Sequence, residues 1–270
     1  MLPKYDKQVY SSLLKAAWQT IKTFGEDPHY LGAKMGMVSI LHTWGQQLWL
    51  HPHVHCIVPA GGITKSGKWK QAKYARKYLF PKKALSKVFR AKFMTLLRQQ
   101  TEVPQSLAAK LFAKPWVVYA KRPFATPKTV VEYLGRYTHK VAISNHRLKA
   151  ISGDNVSFYY KDYRDAAKKK VACISGTEFL RRFALHVLPW GFVRKRHYGI
   201  LSSRNKSVEL NLAKSHFKQK RWEKQKYTWQ QIAREKLNFN PDNCPHCQQD
   251  GLIIIKVIDP NRGPPKPWPS

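Results

Sequence analysis

Apolar side chains recur at spacings of three and four over residues 5–23, where Tyr10, Leu13, Leu14, Ala17, Trp18 and Ile21 fall on one face. That period predicts an amphipathic helix, which Gly25 would end. Residues 35–44 and 53–59 are short apolar, partly β-branched runs on either side of a polar loop, the pattern of two adjacent antiparallel strands. Helical spacing returns over 82–100 through Leu85, Val88, Phe89, Phe93, Leu96 and Leu97, and 116–119 reads as a strand. Thr126 is placed to cap a helix with Pro127 at its first position, followed by Val130, Val131, Leu134, Tyr137 and Thr138 at helical spacing. Runs at 147–151 and 156–160 flank Ser152-Gly153-Asp154-Asn155, a hairpin signal. A strand at 170–174, a helix at 177–187 and a strand at 192–201 come next. Thr228 can then cap a last helix carrying Trp229, Ile232, Ala233 and Leu237, ahead of an apolar run at 252–258 and a Pro-rich, extended end. Strands and helices mixed with short connections predict an α+β fold, an antiparallel sheet with helices on one face. The expected division is a main domain over 1–205 and a small basic C-terminal extension over 206–270.

Composition narrows the partner. Across 270 residues, 49 Lys and Arg stand against 15 Asp and Glu, a net charge of +34, while 43% apolar and 13% aromatic residues suffice for a packed core. This is a folded polycation and calls for an anionic partner. Basic residues gather at Arg194-Lys195-Arg196, Arg204, Lys206 and over 218–226, with Trp222, Tyr227 and Trp229 among or beside them. Charge alone admits nucleic acid, an anionic membrane or the ribosome, but cations take phosphates and rings take unstacked bases, so the interleaving suits nucleic acid. No apolar segment near the start resembles a signal peptide and no run approaches the ~18 residues of a membrane span, so a membrane is not an expected partner. Four cysteines, two of them in Cys244-Pro245-His246-Cys247, read as reduced thiols or a metal clip rather than a disulfide framework, which fits a reducing cytoplasm.

Two pairs of residues carry candidate chemistry. His53 and His55 lie two apart on a predicted strand, so both imidazoles face the same side and can share a divalent ion, while Val54 points into the core. Tyr133 and Tyr137 lie four apart on a predicted helix, so both phenols face one pocket. A tyrosine can attack a phosphodiester and hold the strand as a covalent phosphotyrosine, and two of them permit one strand to be held while another is cut. Chance alone supplies roughly 0.4 His-x-His pairs and roughly 0.6 such Tyr pairs in a chain of this composition, so neither pair identifies a site by itself. Cys244 and Cys247 have the spacing of half a zinc knuckle and are candidate Zn²⁺ ligands, although structural zinc takes four.

In order and with their flanking text the pairs say more. Leu41-His42-Thr43-Trp44-Gly45-Gln46, His51-Pro52-His53-Val54-His55-Cys56-Ile57-Val58-Pro59-Ala60-Gly61-Gly62, and Tyr133 to Tyr137 followed by Thr138-His139-Lys140-Val141-Ala142-Ile143-Ser144-Asn145 closely resemble the two-tyrosine HUH transposases of rolling-circle insertion sequences, the IS-ninety-one type. The resemblance runs from about Ser12 to the end and includes Leu188-Pro189-Trp190-Gly191-Phe192 and Asn261-Arg262-Gly263-Pro264-Pro265. It implies an HUH endonuclease core with the metal strand near the centre of its sheet. It further implies His53 and His55 as metal ligands, Tyr133 and Tyr137 as nucleophiles, Mg²⁺ or Mn²⁺ as cofactor, and single-strand DNA cleavage and strand transfer in rolling-circle transposition. A third ligand is expected from a neighbouring strand, His42 first, with Gln46 and His51 behind it. Arg136 and His139, beside the tyrosines, are expected to contact phosphates. Against the family pattern the chain starts late, apparently without an N-terminal zinc module and the first strand of the nuclease sheet. The alternative reading is therefore a truncated, catalytically inactive remnant that binds nucleic acid only.

Overall fold

The structure, a computed structural model, describes residues 6–73, 77–138, 142–221, 227–244, 247 and 249, without the side chains of Asp6 and of residues 136–138. In chain order the elements are α1 (Asp6–Glu26), β1 (Gly36–Trp44), β2 (Leu50–Ile57), β3 (Gly61–Ile63), β4 (Trp69–Gln71), α2 (Lys82–Arg98), α3 (Gln105–Ala113), α4 (Pro127–Thr138), β5 (Leu148–Ser152), β6 (Asn155–Asp162), β7 (Lys168–Ser175), α5 (Gly176–Ala184), β8 (Lys195–Gly199), α6 (Lys206–His216) and α7 (Trp229–Leu237). The strands form three antiparallel sheets, ordered β2-β1-β8, β3-β4 and β5-β6-β7. The fold is α+β, with antiparallel sheets as the alternating patterns required.

The chain makes two compact units, 1–220 and 221–270. Helix α6, beyond the boundary expected at 205, lies in the first because its Ala213 is buried with Ile63 and Ile200. In the second unit α7 has the predicted start. The Thr228 hydroxyl accepts from the Gln231 amide, and the Gln231 side chain accepts from the Thr228 amide. Reciprocal bonding of this kind satisfies two amides that the helix leaves without partners.

Helices α1 and α2 cover one face of the first sheet. Tyr10, Leu13 and Leu14 of α1 meet Phe93, Met94, Leu96 and Leu97 of α2 and Leu41 of β1 in one buried cluster, with Val54 of β2 packed against it. Each fully buried aliphatic or aromatic side chain there contributes ~1.5–3 kcal/mol, so the α1–α2 layer anchors β1 and β2 from behind. Helix α1 runs through Gly25 to Glu26 instead of stopping. Gly25 serves close approach, since a Cβ there would lie 2.7 Å from Met35 Cγ. At the far edge, Gly199 (φ +57) lets β8 turn away, and a Cβ on it would meet the Met35 carbonyl oxygen at 1.9 Å.

Three expectations change. Residues 116–119 form no strand. Trp116 is fixed by its side chain and carbonyl instead, its ring packed on Phe89 and Phe93 and its carbonyl accepting from Ser86 Oγ, so its backbone joins no ladder. The strand with His53 and His55 is not central. Among the described residues β2 pairs with β1 alone, and β1 holds the middle between β2 and β8. β2 also begins earlier than expected, at Leu50, and takes Pro52 into the strand. The register explains how: Trp44 pairs with Leu50 and His42 with His53, so β2 carries one extra residue between those pairs. A bulge on an edge strand is where a proline, lacking an amide hydrogen, fits. The run 252–258 and the Pro-rich end lie outside the described residues. Among the described residues, no helix is long and apolar enough to cross a membrane.

Candidate metal and nucleophile site

Strand pairing builds the site. His42 on β1 stands opposite His53 on β2, and His55 stands opposite Ile40, so the period of two puts all three imidazoles on the face away from α1 and α2. Ring centroids are 5.6 Å apart for His42–His53, 4.5 Å for His42–His55 and 4.9 Å for His53–His55. One nitrogen from each ring lies within 4.8 Å of the others. That spacing suits three ligands around one ion. His42 is 2% exposed, and its ring stacks on Trp44 at 4.6 Å and 18°. His53 Nδ1 lies 2.7 Å from the His51 carbonyl oxygen. A carbonyl only accepts, so Nδ1 carries the hydrogen and Nε2 keeps its lone pair, the tautomer a metal ligand needs.

Helix α4 delivers the phenol. The Thr126 amide donates to the Thr129 hydroxyl and the Thr129 amide to the Thr126 hydroxyl, each at 3.3 Å, fixing where the helix begins. Tyr133 then reaches the cluster, with its hydroxyl 3.1 Å from His55 Nδ1 and its ring 5.1 Å from that of Phe124. Tyr137 belongs to α4, one turn on, but its side chain, that of Arg136 and the whole of His139 lie outside the described residues. Of the alternatives for a third ligand, His51 is exposed and outside the cluster. Gln46 is committed elsewhere: its amide nitrogen donates to the Tyr163 hydroxyl at 3.4 Å and its amide oxygen accepts from the Lys161 backbone at 3.2 Å.

At the other candidate centre the Cys244 amide donates to the Gln249 carbonyl at 3.0 Å. Cys244 is half-buried and Cys247 exposed. His246 lies outside the described residues, and among the described residues no third ligand joins these two thiols.

Sequence reasoning missed four residues at the loop that joins β1 to β2: Leu48 within it, and Arg147, Arg182 and His186 bonded to its carbonyls. Burial depresses the basicity of His186, opposed by its hydrogen bond to the Leu48 carbonyl, and also that of Arg147. Two arginines hold Glu178 at a pKa of about 2, with Arg181 the larger cause and Arg182 the second. Leu188 to Phe192 belonged to the flanking text, but no spacing rule connected these four to the histidines.

Comparison with known proteins identifies a family. Residues 36–208 match the family Y2_Tnp, described as "Putative transposase". The chain is 37% identical over 288 aligned positions to "Putative transposase y4qJ" of Sinorhizobium fredii (strain NBRC 101917 / NGR234), covering 96% of this chain and 70% of that protein. It is 30% identical over 194 positions to "Transposase for insertion sequence element IS801" of Pseudomonas savastanoi pv. phaseolicola, covering 64% of this chain and 45% of that one. No solved structure matches it. The family match spans β1 through the start of α6 and so takes in His42, His53, His55 and Tyr133: the chain belongs to the Y2_Tnp transposase family.

Proposed function

We propose that the chain is an insertion-sequence transposase of the two-tyrosine HUH type, which cuts single-stranded DNA and transfers the strand in rolling-circle transposition. The observation that carries this reading is the convergence of three imidazoles with one phenol, the Tyr133 hydroxyl lying 3.1 Å from a ring of the histidine cluster. The donor set fits a divalent cation. It is all nitrogen, which suits Mn²⁺ better than Mg²⁺, an ion that prefers oxygen. His42, His53 and His55 would hold the ion, which would supply Lewis-acid polarisation of the phosphodiester.

The protein's own part is positioning. His55 orients the Tyr133 oxygen by hydrogen bonding. In the cut, a tyrosine oxygen bonds to phosphorus as the bond to the 3′-oxygen breaks. The tyrosine gives up its proton and the departing strand ends in a 3′-hydroxyl. The 5′-phosphotyrosyl ester keeps the energy of the broken bond, so attack by another 3′-hydroxyl restores a phosphodiester and frees the tyrosine. A second tyrosine, Tyr137, would let the two strands be held in turn, with Arg136 and His139 contacting phosphates. The net charge of +34 serves strand binding, which should weaken with salt at a log–log slope of about −0.7 per neutralised phosphate.

The test uses end-labelled single-stranded oligonucleotides bearing the element's terminal sequence, with Mn²⁺. Cleavage by the parent chain and none by His53→Ala, at similar strand affinity, is the expected result. Binding without cleavage by the parent would favour the non-catalytic nucleic-acid-binding reading.

A further inference from the structure

The loop joining β1 to β2, residues 45–49, offers three consecutive backbone carbonyls to one neighbouring body of structure. The Gln46 carbonyl accepts from Arg147 Nη2, the Gln47 carbonyl from Arg182 Nη1 at 3.2 Å, and the Leu48 carbonyl from His186 Nε2 at 3.0 Å. Each donor is anchored in turn. Arg147 also donates to the Tyr159 carbonyl on β6 at 2.9 Å, Arg182 donates to Glu178 on α5 at 2.7 Å, and His186 receives the Thr43 hydroxyl at Nδ1, 3.2 Å away. The loop is held by packing as well. Leu48 adopts the left-handed φ of +62, unusual for leucine, and is fully buried with Phe158 and Ala142. The Arg182 guanidinium covers the Trp49 ring at 3.6 Å.

A surface turn needs none of this. Hairpin loops close with two to five residues and face water, whereas three side-chain donors aimed at three successive carbonyls, around a strained buried leucine, fix a loop in all directions. Strain of that sort persists only where surrounding structure over-determines it. The fixed loop begins three residues after His42 and ends four before His53, joining the two strands that form the histidine cluster. Trp44 links the two ends, its ring stacking on His42 and meeting His186 edge-on at 6.2 Å.

We propose that Arg147, Arg182 and His186 are positioning residues for the metal site: they clamp the β1–β2 loop through its carbonyls and so set the separation of His42 from His53 and His55. The edge position of β2 explains the need. With β1 as its only ladder partner among the described residues, β2 gains its register at the loop end from the clamp, and a small drift there would spread the three nitrogens. The inference rests on the metal-site reading above, and its test separates the two.

Mn²⁺ binding to the full chain is measured by calorimetry without DNA, alongside thermal unfolding and amide hydrogen exchange at 45–49. Arg147→Met and His186→Phe should weaken Mn²⁺ about 10- to 100-fold, the range for residues that orient ligands, with unfolding still cooperative and loop exchange faster. His186→Gln, which keeps one donor and one acceptor, should recover most of the affinity. Parent-like Mn²⁺ affinity and loop exchange in both disruptive variants would overturn the clamp. If Arg147→Met fails to fold, the His186→Phe and His186→Gln pair decides. A parent that binds no Mn²⁺, or binds it as well as His53→Ala does, removes the metal reading instead, and the clamp then stands or falls on the exchange rates at 45–49.

Discussion

The two strands that share the histidine cluster are unlike each other. β1 lies between two neighbours with seven of its nine residues buried, whereas β2 is, among the described residues, an edge strand with none of its eight residues fully buried. His42 is therefore set in place by packing, stacked on Trp44 over the core, while His53 and His55 are half-buried on a strand with a bulge. One imidazole is held rigidly and two depend on how β2 is held. A site of this kind can admit a DNA strand without opening the core, and it makes the loop joining the strands as important as the strands.

The contrast can be broken most severely at the ligands. His42→Ala, His53→Ala and His55→Ala should each reduce cleavage below detection, but they should separate in stability. His42→Ala should cost about 2 kcal/mol by emptying a buried site, and His53→Ala about 0.5 kcal/mol or less. Denaturant unfolding measures this, and equal losses would mean that β1 and β2 are equally embedded. Next in size, Leu48→Ala should cost about 3 kcal/mol by opening a cavity between Phe158 and Ala142, and should slow cleavage because the loop loosens. A stability loss with a parent-like cleavage rate would separate the loop from the site.

The smallest effect is in pH. The native pKa of His186 is depressed below 6.5, so the unfolded chain takes up a proton first as pH falls. Stability from its neutral form is complete above about pH 6.5 and declines as pH drops through the native value. Glu178 gives a second window. Its carboxylate is held at about 2 against an ordinary 4.5, so its contribution is present above pH 4.5 and is lost as pH falls through about 2. Melting temperature followed from pH 8 to pH 2 should show both declines, and exchange in loop 45–49 should quicken across each. His186→Gln should remove the first decline and leave the second.

The candidate residues were legible in sequence because their arrangement is local. His53 and His55 fall two apart on a strand, Tyr133 falls on a capped helix, and both arrangements survive into the fold. His42 was within reach as well, since antiparallel pairing of adjacent runs brings it beside His53. Strand order was not legible. Nothing in the sequence of β2 says whether it has one neighbour or two, although Pro52, which lacks an amide hydrogen, is compatible with an edge. Trp116 looked like strand because its run is apolar and branched, although its burial comes from aromatic packing on α2. The clamp was hidden for a different reason: Arg147 and Arg182 lie about a hundred residues or more from the carbonyls they hold, and arginines in so basic a chain read as solvated charge.

The claim that the cluster and Tyr133 form a strand-cutting centre is tested most directly by the covalent product. Labelled single-stranded DNA incubated with Mn²⁺ and the chain should give a denaturant-resistant protein–DNA adduct. Tyr133→Phe and Tyr137→Phe singly should each leave part of that adduct but fail at complete strand transfer, and the double variant, with both rings kept and both oxygens gone, should leave none. An adduct surviving in the double variant would contradict the account and place the nucleophile elsewhere in the chain.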